Sequence, residues 1–190
     1  MSGESARIPA RSVLLATGGL DLAPLFHGGG QERGRRAGTE NLPGIAGFAA
    51  AAAASASAEG IAIYDRVRAL RDELESSIAA VAPDAVVLGA AAPRLPNTSA
   101  IAMPGIPAET QVIALDLDGV MVSAGAACSS GKVGPSHVLA AMGVGADLAG
   151  STIRVSLGWS SSEADIAHFL RAWTALYRRR RGFTDGARAA

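Results

Sequence analysis

The 190-residue sequence predicts an α/β or α+β layer fold. Three observations predict it. Segments with apolar residues at spacings of three and four alternate with short strand-like runs. No strand-like run is long and continuously apolar in the way of a buried parallel sheet. A long amphipathic segment closes the chain. The combination describes a peripheral domain rather than a complete doubly wound sheet, and the length allows one domain with an appended piece of a second. Apolar residues make up 49% of the chain and aromatic residues only 4%, so the core is built mainly from Ala, Val, Leu and Ile.

Residues 1–12 read as a disordered or foreign leader, without the apolar core of a signal peptide. Val13 to Thr17 forms a short strand stopped by Gly18-Gly19. His27 to Asn41 is a Gly- and Arg-rich loop without periodicity. Asn41 and Pro43 open a helix that runs through the alanines to about Ser57. Its Ala49–Ala58 run is too short and too weakly apolar to span a membrane. After Gly60 a second helix places Ile63, Val67, Leu70, Leu74, Ile78 and Val81 on one face and ends at Pro83.

Val86 to Leu88 is a strand, Ala90 to Pro96 a loop and Thr98 to Met103 a strand. Pro107 opens a helix carrying Val112, Ile113, Leu115 and Leu117 to Gly119. Val120 to Ser123 is a strand, and Pro135 starts a helix with Val138, Leu139 and Met142 that Gly143 stops. Thr152 to Leu157 alternates Ile153, Val155 and Leu157 with Arg154 and Ser156, the pattern of a half-buried strand. Ser160 and Glu163 stand at capping-box spacing. The closing helix buries Ile166, Phe169, Leu170, Trp173, Leu176 and Tyr177. Domain boundaries follow: leader 1–12, a first piece 13–58, a domain 59–182 and a flexible tail 183–190.

The net charge is zero, which gives no electrostatic case for nucleic acid or an anionic membrane surface. Arg178 to Arg181 complement the dipole at a helix end. One cysteine excludes an internal disulfide and any multi-cysteine zinc site; no metal site is expected. That cysteine, Cys128, lies among small residues from Ser123 to His137, with Gly125 and Gly131 allowing sharp bends at either end. This is the composition of an exposed loop that carries a nucleophile, and a free thiol suits a reducing cytoplasm. Lys132 and His137 are the nearby sources of positive charge; His137 reads equally as an acid/base or a surface residue. His168 lies mid-helix beside Phe169 and reads as structural.

In the loop His27 to Asn41, glycines free the backbone to approach an anion, and Arg33, Arg35, Arg36 and the Thr39 hydroxyl can donate to phosphate or carboxylate. A solvated surface loop is the other reading, and the Lys-Ser/Thr ending of a Walker loop is absent. Arg154, between Ile153 and Val155, is either a paired structural residue or a fork for a carboxylate.

Together, the loop His27–Asn41, Leu95-Pro-Asn97-Thr-Ser, Leu115-Asp-Leu-Asp-Gly119, the cysteine loop and Ser151-Thr-Ile-Arg154-Val-Ser-Leu-Gly158 resemble, in the same order, the cysteine desulfurases, pyridoxal-phosphate enzymes of the class V aminotransferase group. The resemblance runs over roughly residues 20–175. It implies the C-terminal small domain of a fold-type I transferase plus the end of its large domain. It also implies that Cys128 takes sulfur from L-cysteine as a persulfide, leaving L-alanine. Arg154 would bind the substrate carboxylate. Thr39 would donate to the cofactor phosphate across a homodimer interface, and His27 with the glycines through Gly38 would line that interface near the cofactor. Pyridoxal 5'-phosphate would act as electron sink. A sulfur acceptor or scaffold protein, as in iron–sulfur cluster assembly, would be the partner.

One departure is severe. The family holds its cofactor through a lysine Schiff base, and Lys132, in the cysteine loop, is the only lysine in the chain. No His-Lys motif surrounds it, and the segment that precedes His27 in the family is not matched by residues 1–12. The expectation is a truncated gene product, or half of a split enzyme that pairs with a chain carrying the missing segment, inactive by itself. Two rivals are a non-catalytic dimerisation or persulfide-carrying module, and a redox sensor in which Cys128 simply oxidises. An exposed nucleophile should react with iodoacetamide rapidly in the folded chain; protection of Cys128 like that of a buried thiol would contradict the loop reading.

Overall fold

The computed structural model describes residues 23, 24, 26–125 and 136–188, with 181–188 as backbone. They fall into two compact units, Met1–Ala62 and Ile63–Ala190. The expected leader, the expected strand Val13–Thr17, and Cys128, Lys132 and Pro135 lie outside the described residues.

In the first unit, the Gly- and Arg-rich loop is closed at its base by a parallel bridge between Phe26 and Arg36. Helix α1, Leu42–Ala56, follows. Asn41 caps it, its Oδ1 accepting from the Gly44 N–H at 3.1 Å, and Pro43 sits in the first turn, where no amide hydrogen is needed. Ser57 leaves the helical conformation with ψ 160°. Its hydroxyl donates to the Ala54 carbonyl at 2.8 Å and accepts from the Gly60 N–H at 3.0 Å, which starts α2, Ala58–Val81. Gly60 therefore belongs to the first turn of α2 rather than preceding it. A Cβ there would lie 2.3 Å from the Ala54 carbonyl oxygen, so glycine is what lets α2 begin so soon after α1.

The second unit is built on a four-stranded sheet of β1 (Val86–Leu88), β2 (Thr98–Ala102), β3 (Ser123–Ala124) and β4 (Thr152–Ser156). The order is β1-β2-β4-β3 and every pairing is antiparallel. The expected strand at Val120–Ser123 pairs only from Ser123 on, because the Val120 N–H closes the end of α3 (Ala108–Leu117) by donating to the Leu115 carbonyl at 2.8 Å. Short helices α4 (His137–Ala141) and α5 (Ala146–Gly150) lead into β4. The latter, Ala-Asp-Leu-Ala-Gly, is too short for its sequence to show a helical period. Helix α6, Glu163–Arg188, closes the fold.

The core lies between the sheet and helices α2, α3 and α6. Leu70, Leu74 and Ile78 of α2 pack with Ile101, Ile153 and Val155 of the sheet and with Ile166, Phe169 and Trp173 of α6. Trp173 stacks on Tyr177 with ring centroids 5.6 Å apart. Val81, expected on the buried face of α2, is 42% exposed: the helix ends there, and Ala82 turns inward in its place. The start of α6 also differs. The reciprocal cap is Ser162 with Asp165, whose Oδ2 accepts from the Ser162 N–H and hydroxyl at 2.9 Å each, and not Ser160 with Glu163.

Two carboxylates fix the edges of this unit. Glu75 on α2 accepts from both Arg94 nitrogens at 2.5 and 2.6 Å and from the Ser99 hydroxyl at 2.7 Å. Burial pushes its carboxyl up, but the bonds from Arg94 and Ser99 and the charges of Arg94 and Arg71 outweigh burial and hold it below its ordinary value. Asp84 accepts from the Tyr177 hydroxyl at 2.5 Å and from Arg180, which lies over the Tyr177 ring and also donates to the Pro104 carbonyl. Thus Arg180, one of the four arginines assigned above to the helix dipole, ties α6 to the chain before β1 and to the segment after β2. Asp84 is likewise depressed, desolvation being outweighed by Tyr177 and Arg180.

Stability from both carboxylates is complete above their unfolded-chain values, about 4.3 and 3.9. It is lost as the pH falls from there through the lower folded values. Glu75→Gln should cost about 2 kcal/mol at neutral pH, as expected for charged hydrogen bonds, and should flatten the acid limb of the stability profile. A urea midpoint unchanged at pH 7 would contradict the role given to Glu75.

Candidate active site

Arg154 is the residue around which the site forms. Strand β4 lies between β2 and β3, and its side chains alternate by the pleat. Ile153 and Val155 are buried at 0% and 6% exposure, so Arg154 must project from the other face. Its cross-strand neighbours are Ala100 on β2 and Ser123 on β3, both short enough to leave room for the arginine stem. Arg154 lines a cavity of about 620 Å³. Its Nε is buried without a hydrogen-bond partner, and among the described residues it enters no ion pair. Among the described residues it therefore lacks the partner that a structural arginine would have.

The cavity has two further walls. One is the loop after β1, where Leu95 and Arg94 reach the cavity. Arg94 is already committed: its bond to Glu75 outweighs its desolvation and keeps the guanidinium above its ordinary value. The other wall is α4, which presents His137, Leu139 and Met142. Ser136 starts α4, its hydroxyl accepting from the Leu139 N–H at 3.4 Å, so the exposed His137 sits in the first turn at the cavity. His168 is elsewhere, its Nε2 bonded to the Asp118 carbonyl at 2.8 Å across α6 and α3, which is the structural role expected of it. Among the described residues no group of three His, Cys, Asp or Glu could hold a metal ion.

In the first unit the Gly-rich loop folds on itself. Arg36 Nη1 donates to the Gly38 carbonyl at 3.3 Å and to that of Thr39. A Cβ on Gly28 would meet the Ala37 Cβ at 2.9 Å, so glycine permits this closure. Glu32 and Arg33 take positive φ values of 52° and 57°, followed by Gly34 at 78°. Left-handed backbone costs about 1–2 kcal/mol for each non-glycine residue. Such strain is typical of sites where geometry serves a ligand. His27, Gly38 and Thr39 are exposed on this loop. The structure thus places Arg154 and His137 on one cavity, and His27, Gly38 and Thr39 on one loop of the other unit; Cys128 lies outside the described residues. Arg94 as a cavity wall is legible only from the structure. Its partner Glu75 lies nineteen positions away on α2, and neither belongs to a local pattern.

Comparison with known proteins identifies the class. The aminotransferase class-V family matches residues 18–169, and the chain belongs to that family. A cysteine desulfurase of Cereibacter sphaeroides is 45% identical over 152 residues, covering 80% of this chain and 38% of that protein. A cysteine desulfurase of Gluconacetobacter diazotrophicus is 40% identical, covering all of this chain and 48% of its own length. The crystal structure of a NifS-like protein from Rickettsia africae superposes with a TM-score of 0.69 at 35% identity, over 83% of this chain and 41% of that one. The chain spans less than half the length of these relatives. The architecture is accordingly part of the fold-type I transferase fold.

Family membership implies pyridoxal phosphate as cofactor. The residues of the glycine-rich loop fit its phosphate end. Thr39 offers an exposed hydroxyl on a closed glycine loop that also carries Arg33 and Arg35, the donor set an anion requires. Among the described residues there is no lysine.

Among the described residues Arg154 adds no hydrogen bond or ion pair to the fold, and methionine keeps the apolar stem. Arg154→Met should leave the unfolding free energy unchanged or raise it by up to about 1 kcal/mol. A clear loss of stability in a thermal melt would return Arg154 to a structural role.

Proposed function

We propose that this chain forms the sulfur-accepting half of a cysteine desulfurase, which moves sulfur from L-cysteine to Cys128 as a persulfide and leaves L-alanine. The observation that carries the reading is Arg154: a guanidinium on a central strand, without a partner among the described residues and facing a cavity. The names of the relatives support it. In this reading Arg154 holds the substrate carboxylate through paired N–H donors. Thr39 donates to the cofactor phosphate in the neighbouring subunit of a homodimer, with Gly38 and His27 lining that interface. The cofactor, when bound, supplies the electron sink that weakens the bond to sulfur. Cys128 then attacks the substrate sulfur as thiolate, forming the S–S bond while the C–S bond breaks. A sulfur acceptor or scaffold protein, as in iron–sulfur cluster assembly, relieves Cys128 of its cargo in the cytoplasm, where a lone thiol stays reduced. Residues 13–58 form the end of the cofactor domain and its linking helix, and 59–182 the small domain.

Cofactor attachment needs an amine fixed in a rigid pocket. Lys132 is the only lysine and lies four positions from Cys128 in sequence, so we assign the attachment to a polypeptide beyond these residues. The purified chain with pyridoxal phosphate and L-cysteine should release no more alanine than free cofactor does. Adding the cofactor-binding half of a relative should restore alanine release and place a persulfide on Cys128, both lost in Cys128→Ala. Arg154→Lys in the restored enzyme should raise KM for cysteine. Restored alanine release without a persulfide on Cys128, or an unchanged KM, would contradict these roles. Alanine release by the chain alone that depends on Cys128 would overturn the assignment of the lysine.

A further inference from the structure

The polar groups of the Arg154 cavity divide into those the fold has used and those it has not. Arg94 is neutralised by Glu75. Thr152 donates to the Leu148 carbonyl at 2.7 Å, Thr98 to the Asn97 side chain at 3.4 Å, and the Ser136 hydroxyl caps α4. Among the described residues two groups remain, Arg154 and His137. His137 makes no hydrogen bond or ion pair among the described residues, although it lies on the same cavity. Much of the remaining wall is apolar, with Leu88, Leu95, Leu139 and Met142.

In a largely apolar cavity the few uncommitted polar groups decide what a ligand must carry. Arg154 can only donate, and it selects an anion. His137 can donate from one ring nitrogen and accept at the other, so it suits a group that is a donor when protonated and an acceptor when ionised. A thiol is such a group; a methyl of the same shape is not, and offers the imidazole no hydrogen bond. We infer that His137 recognises the sulfur end of the ligand whose carboxylate Arg154 holds, an assignment that rests on the carboxylate role proposed above. Arg154 then fixes one end of a small amino acid, and His137 discriminates cysteine from analogues that lack the S–H group. The role is one of specificity and needs no proton transfer.

The test uses the 190-residue chain under reducing conditions. It is titrated with L-cysteine and with L-2-aminobutyrate, in which a methyl replaces the thiol. The His137 imidazole resonance is distinguished from those of His27 and His168 by its loss in His137→Gln. Binding is followed in parallel at the backbone amide of Ile153. Cysteine should bind about threefold more tightly than aminobutyrate, the low end of what one hydrogen bond contributes, and only cysteine should displace the His137 resonance strongly. In His137→Gln the two affinities should become equal, while Arg154→Leu should abolish both. Equal affinities in the unmodified chain, with binding still dependent on Arg154, would overturn the His137 assignment and leave the carboxylate role intact. No saturable shift with either ligand would overturn both. The comparison of two ligands on the unmodified chain does not depend on how any variant folds.

Discussion

The pleat of β4 is the constraint from which the site follows. Ile153 and Val155 are fixed in the core between the sheet and helices α2, α3 and α6, and a strand has only two faces. Arg154 is therefore forced onto the cavity side, and its register is held on both flanks, against Ala100 and Ser123. A slip of one residue would drive the guanidinium into the core and two aliphatic side chains out of it, which makes the register strongly specified. A partly buried cation without a partner is unfavourable by itself. The paired register of β4 with β2 and β3 nevertheless fixes its position.

Ion pairs elsewhere shape that cavity without entering its chemistry. Glu75 holds Arg94 and Ser99 together, and so anchors the loop after β1 as one cavity wall. Arg71 reinforces the same loop by donating to the Leu95 carbonyl at 2.8 Å. Gln111, fully buried, donates to the Ser151 carbonyl at 2.8 Å and fixes the entry of β4. Each of these contacts joins segments far apart in sequence, so the walls stand at set positions around Arg154. In the other unit, Arg36 and Gly28 close the loop that presents Thr39.

Much of this was legible in the sequence because it is written in periods and punctuation. The face of α2 from Val67 to Ile78, the alternation of β4, the cap at Asn41 and the aromatic face of α6 each follow from local spacing, and each is present. The resemblance to the cysteine desulfurases rested on residues that the family match also spans. What escaped had no local signal. Arg180 reads as one of four like residues, and only the fold reveals that it reaches Asp84. Helix α5 is shorter than the period needed to detect it. Gly60 reads as a break because a glycine inside a helix is usually unfavourable, whereas here it is required by the close Ala54 carbonyl. His137 was ambiguous until the cavity joined it to Arg154.

We propose that Arg154 is an open fork for a carboxylate. The most direct measurement is the Nε–H resonance of Arg154 in the ¹⁵N-labelled chain, recorded while propionate is added. The structure buries this N–H without an acceptor, so a saturable downfield shift is predicted at Arg154, with the Nε–H of the already paired Arg94 unmoved. A resonance at Arg154 that stays in place up to high propionate concentration would contradict the account.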